Sequence, residues 1–157
     1  MKREKEVPTA LLAYRAEKAL KRAVAKAIAE QRKKEPIQTT QQLSSLVTSI
    51  YKRFYSTWSK IHPASKVFMS LRIAVNDELN NLRSVLPQAI KVLRSKGRLV
   101  VISFHGLEDK IVKDFFNKGE EKGWLKILTK KPIVPPLEEK QENPRSRSAK
   151  LRVAEKI

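Results

Sequence analysis

From Leu11 to about Lys34 the chain runs without Gly or Pro and is rich in Ala. Leu12, Ala16, Leu20, Val24 and Ala27 recur at three- and four-residue spacing, which predicts an amphipathic helix with Lys18, Lys21, Arg22, Lys26 and Arg32 on its other face. Pro36 stops it. Thr39 followed by Gln42 has the spacing of a capping box, and Leu43, Leu46, Val47, Ile50 and Phe54 then mark one face of a second helix. Pro63 suits the first turn of a third helix, where its missing N–H costs nothing. Phe68, Leu71, Val75, Leu79 and Leu82 are expected as that helix's buried stripe. Pro87 breaks the pattern, so a new short helix carrying Ile90 and Leu93 is expected to follow, up to a turn at Gly97.

After Gly97 the texture changes. Leu99, Val100, Val101 and Ile102 are consecutive, apolar and mostly β-branched, with Ser103 and Phe104 behind them. A strand without polar alternation is expected to be covered on both faces, as in a parallel sheet. His105 and Gly106 read as a loop, and Leu107, Ile111 and Phe115 as one face of a helix. Trp124 to Thr129 and Ala149 to Ile157 read as two further strands, both expected to be edge or hairpin partners, separated by a Pro-rich charged loop. The order is a helical module followed by strand, helix, strand, loop, strand, which has the look of the trailing edge of an α/β sheet. Nothing in the pattern supplies the usual parallel neighbours of LVVISF, so the first part of the sheet is expected to be encoded elsewhere.

Charge narrows the partner. The 157 residues carry 34 Lys and Arg against 16 Asp and Glu, a formal net charge of +18, which points to a polyanion such as nucleic acid before an acidic membrane surface. There is no Cys, so neither a disulfide framework nor a thiolate metal site is expected. No run approaches the roughly 18 apolar residues of a membrane helix, and the charged start has no apolar h-region behind it. A soluble, cytoplasmic protein is expected.

Several residue groups carry candidate chemistry. Ser103, His105, Glu108 and Asp109 follow the carboxyl end of the aliphatic strand, the edge where open α/β sheets bind ligands. His105 can exchange a proton near neutral pH, and Glu108 is favoured at a helix start. The same four residues serve equally as a helix-capping cluster. Tyr51 to Lys60 interleaves cations with Tyr, Phe and Trp, as suits RNA, where bases stack on rings and cations meet phosphates. His62, beside Lys60 and Lys66, is either an RNA contact or the cap of a turn. Arg72, Asn76 and Asp77 are expected as a buried polar network more than as chemistry. Asn143, Arg145 and Arg147 stand in a loop of small hydroxyl residues, where guanidinium forks suit phosphate oxygens, and Lys130 and Lys131 extend the basic surface. Neither His has partners at metal-ligand spacing, so no metal site is expected.

Three stretches carry a more specific likeness: HPASKVFMSLRIAVNDELNNL from His62, GRLVVISFHGLEDKIVKDFF from Gly97, and TKKPIVPP with NPRSRSAKLRVAEKI from Thr129 to Ile157. They resemble the RsmH or MraW family. Tyr14 to Glu17 matches the family's Tyr-Gly-Glu-Glu stretch only loosely, and Gly106 stands where the family usually has Ser. The resemblance implies methylation of the exocyclic amine of a decoding-region cytidine in small-subunit ribosomal RNA, with S-adenosylmethionine as donor. It also implies a helical substrate-recognition module, residues 1–86, followed by the C-terminal strands of an incomplete Rossmann-like class I methyltransferase sheet, residues 87–157. The family's cofactor-binding glycine loop and main catalytic loop have no counterpart here, and none of the four Gly stands in a G-x-G arrangement. No cofactor-binding residue is therefore expected in this chain, its catalytic residues are not identified, and low activity and stability alone are expected without an N-terminal half. Two other readings remain: a non-catalytic RNA- or ribosome-binding module, and a small basic nucleic-acid-binding protein unrelated to methyl transfer.

Overall fold

The computed structural model describes residues 9–55 and 62–157, with side chains from residue 18 onward. Contacts divide the chain into two compact units between Arg72 and Ile73. In the first unit, α1 (Thr9–Lys34) and α2 (Thr40–Phe54) follow the predicted spans closely. The capping box is made: Gln42 N donates to Thr39 Oγ1 at 3.1 Å, and Thr39 N donates to Gln42 Oε1 at 3.0 Å. Leu20 and Val24 of α1 meet Leu43, Val47 and Ile50 of α2 and Ala64 of α3 (Pro63–Val75) in one buried cluster. Of the expected apolar face of α2, Phe54 stays at the surface. Residues 56–61, which include the second half of the aromatic and basic stretch from Tyr51 to Lys60, lie outside the described residues.

The long third stripe is not continuous. α3 ends at Val75, and Asp77 turns the backbone through the left-handed region at φ 50°. The interruption shifts the helical phase, so Leu71 and Val75 are 45% and 82% exposed rather than buried. The polar network expected around Asn76 and Asp77 is instead a local turn at the surface. Asn81 Nδ2 donates to the Asn76 carbonyl at 3.0 Å, and Asn80 Nδ2 to Asp77 Oδ1 at 2.8 Å.

A second correction concerns Pro87, which lies inside α4 (Glu78–Val92) and starts no new helix. An interior proline costs about 3 kcal/mol. Leu82, Leu86 and Ile90 nevertheless share one face through that position, with Leu86 2% and Ile90 7% exposed. Burying two such side chains is worth about 1.5–3 kcal/mol each, enough to carry the helix through. The boundary expected after residue 86 thus falls within one continuous helix of the second unit.

That unit continues with β1 (Arg98–Ser103), α5 (Gly106–Glu121), β2 (Leu125–Ile127), α6 (Leu137–Glu142), a 3₁₀ turn (Pro144–Ser148) and β3 (Lys150–Lys156). The described sheet has three strands in the order β1-β3-β2, all antiparallel. The last strand is therefore the central one rather than an edge, and the stretch expected as plain loop contains a short helix and the 3₁₀ turn. Leu99 and Val101 pack with Val112 and Phe116 of α5 and Leu86 and Ile90 of α4. Val100 and Ile102 point the other way and remain 54% exposed, so within the described residues β1 is covered on one face only.

Two contacts close the unit. Lys156 Nζ donates to the carbonyls of Ile90 and Leu93 at 2.9 and 2.6 Å, satisfying the end of α4 with a cation where its dipole favours one. Gly119 on α5 lets Leu125 lie against the helix, and an added Cβ would stand 2.6 Å from Leu125 Cδ1. Among the described residues no helix is long and apolar enough to cross a membrane. Gly119→Ala should destabilise the chain by about 1–3 kcal/mol through overpacking. At Gly106 an added Cβ meets nothing within 4 Å, and Gly106→Ser should be neutral or slightly stabilising. Urea midpoints of the two variants check both.

Candidate functional site

β1 delivers its carboxyl end to a tight junction with α5. Ser103 ends the strand buried. His105, whose backbone is extended, then caps α5, and side chains return to satisfy three backbone amides. His105 Nδ1 accepts from Glu108 N at 3.3 Å. Glu108 Oε2 accepts from Phe104 N at 2.9 Å and from His105 N at 3.2 Å. This is a capping box with imidazole in place of a hydroxyl. Because Nδ1 is the acceptor, a neutral ring carries its proton on Nε2. Nε2 lies 3.3 Å from Glu108 Oε1 without the alignment of a hydrogen bond, and it is closed off from solvent with no hydrogen-bond partner among the described residues.

One turn further on, Asp109 is buried and faces β3. Arg152 Nε donates to its Oδ1 at 2.7 Å and Arg152 Nη2 to its Oδ2 at 3.3 Å, while Lys150 Nζ reaches Oδ2 at 3.3 Å. The Arg152 fork, with Lys150 beside it, holds the Asp109 carboxyl below the usual aspartate range against the opposing effect of burial. The pair joins the start of α5 to the start of β3, immediately after the turn carrying Arg145 and Arg147. Glu78, at the start of α4, also arrives beside His105 and Glu108.

The predicted residues therefore fall into separate groups. His105 and Glu108 come together in the capping box, and Ser103 is buried at the end of β1 before them. Arg145 and Arg147 are exposed on the 3₁₀ turn and Asn143 is exposed just before it; Ser146 anchors the turn by burial and by its N–H, which donates to the Asn143 carbonyl at 2.9 Å. Lys130 and Lys131 are exposed after β2, next to Thr129, whose Oγ1 accepts from Val153 N at 2.8 Å. His62 belongs to the first unit, where its Nδ1 accepts from Ala64 N at 3.2 Å in the turn before α3. Sequence reasoning missed Arg152, Lys150 and Glu78. Arg152 had a signal: it alternates with Ala154 on one face of a strand, and an inward cation needs a counter-charge. Glu78 had none, since only the packing of α4 on α5 brings it near.

The family model described as the MraW methylase family matches residues 2–157. The chain belongs to that family. Relatives called ribosomal RNA small subunit methyltransferase H include one from Coprothermobacter proteolyticus, 53% identical over 86% of this chain and 44% of its own length. Another, from Deinococcus deserti, is 50% identical over 98% of this chain and 49% of its own. A third, from a Sulfurihydrogenibium species, is 46% identical over 99% and 52%. The chain spans about half the length of the curated relatives it matches. Within this MraW family member, the sequence likeness runs through the capping box, the Asp109 pair and the NPRSRS turn.

Asp109→Asn leaves the Arg152 guanidinium buried without its counter-charge, which should cost about 3–5 kcal/mol. Its pH dependence follows from the lowered carboxyl. The wild-type contribution is complete above the ordinary aspartate range and is lost as pH falls through the lowered value. Urea unfolding across acid pH should therefore show the two proteins converging toward low pH. A constant gap would contradict the pairing.

Proposed function

We propose that this chain is the C-terminal portion of a ribosomal RNA methyltransferase that transfers a methyl group from S-adenosylmethionine to the exocyclic amine of a decoding-region cytidine, in the cytoplasm. Its share of the task is to grip small-subunit RNA and to form one wall of the reaction site. On this reading the helical module drawn over residues 1–86 is the substrate-recognition part, and residues 87–157 are the trailing portion of the methyltransferase sheet. The observation that carries the reading is β1: half-covered, at the sheet edge, and ending in the Ser103–His105–Glu108 junction.

The residues present do not fit the methyl donor by themselves. No G-x-G turn occurs, and the described strands are antiparallel, so no parallel-strand crevice forms among them. No chemical step through the donor is assigned to these residues. Phosphate binding falls to the exposed cations. Arg145 and Arg147 have no protein partner among the described residues, and Lys130 and Lys131 add to the same charge. The companion reading, an RNA- or ribosome-binding module without catalysis, shares this surface and differs only in needing no second half.

One measurement separates these readings, and a second tests the RNA surface they share. Co-expression with the half of the Coprothermobacter proteolyticus relative that this chain does not match should give a complex that methylates small-subunit RNA, with the chain alone inactive. Failure to form a complex, or methyl transfer by the chain alone, contradicts the proposal. RNA binding should weaken steeply with salt, and Arg145→Ala with Arg147→Ala should reduce the log–log slope by about 1 for each lost phosphate contact. An unchanged slope removes that turn from the RNA surface.

A further inference from the structure

We infer that Glu78, His105 and Glu108 form a site for a first-row divalent cation, zinc or manganese, where α4 and α5 begin. One ligand atom from each residue lies within 4.8 Å of the other two. His105 Nε2 is sealed from solvent and has no hydrogen-bond partner among the described residues, which is costly for a ring nitrogen unless something else meets it. Glu108 is held in place through Oε2 by two backbone amides, leaving Oε1 facing the ring at 3.3 Å. Asn76 Nδ2 donates to Glu78 Oε1 at 3.2 Å and so orients the second carboxylate from outside the cluster.

Two carboxylates and one imidazole brought together form a donor set that favours a cation. One imidazole nitrogen with two carboxylates suits zinc or manganese, while magnesium and calcium prefer oxygen alone. Binding at Nε2 moves the ring proton to Nδ1 and so opens the 3.3 Å capping bond from the Glu108 amide. Cap and cation are alternatives. The inference rests on the second unit's geometry and not on the methyltransferase reading.

The test is calorimetric titration of Zn²⁺, and separately Mn²⁺, into the full chain after treatment with a chelator. The chain has no Cys and only two His, so competing sites for zinc are few. His105→Asn keeps a good helix cap but removes Nε2, and it should abolish binding. Glu78→Gln lies outside the capping box and should weaken binding about tenfold or more, as loss of metal-site groups does. His62→Asn should leave binding unchanged. On loading, the Glu108 amide should exchange with solvent faster. No binding at millimolar metal, binding that survives both His105→Asn and Glu78→Gln, or binding removed by His62→Asn would each overturn the inference.

Discussion

A β-strand must satisfy two edges and two faces, and β1 has only one of each satisfied among the described residues. Lys156 N donates to the Gly97 carbonyl at 2.9 Å, which sets the alternation of the β1–β3 ladder. The amides of Arg98, Val100 and Ile102 are thereby turned to the free edge, while Leu99 and Val101 are turned inward onto α4 and α5. The side chains of Val100 and Ile102 stand on the open face, where each still has about 1 kcal/mol of burial to gain. An aliphatic strand in that position is a binding edge or an aggregation hazard. Membership of a family whose relatives are about twice as long favours the binding edge.

The covered side depends on a different interaction. Arg152 would be out of place on the inner face of β3 without Asp109, and Asp109 would be out of place in the first turns of α5 without Arg152. Together they join strand and helix across the core that Val112, Phe116, Leu125 and Ala154 fill. A buried pair of this kind specifies an arrangement more than it adds stability, because desolvation offsets much of the attraction. What it specifies here is the position of the Arg145–Arg147 turn relative to the His105 junction, the two places where chemistry was expected.

Much of this was legible in the residues. Local signals were strong wherever one residue's environment is set by near neighbours. The Thr39–Gln42 box, the face of α2, and the strand after Gly97 are all readable at spacings of two to four residues. The readings that failed depended on distant packing. Pro87 breaks a helix by local rules, yet Leu86 and Ile90 bury enough surface to override it. The stripe through Val75 looked continuous because a left-handed Asp77 leaves no mark in hydrophobic spacing. The capping role of His105 was named beside its chemical one, but the approach of Glu78 and the Arg152 fork required the tertiary fold.

The central claim is that the outer edge and face of β1 are made to be covered by polypeptide outside these residues. Hydrogen exchange at the Val100 and Ile102 amides tests it most directly, measured for the chain alone and for the chain bound to the unmatched half of a relative. The account predicts rapid exchange alone and strong protection in the complex, with Leu99 and Val101 protected in both. Equal exchange at Val100 and Ile102 in the two states, with a complex demonstrably formed, would contradict it.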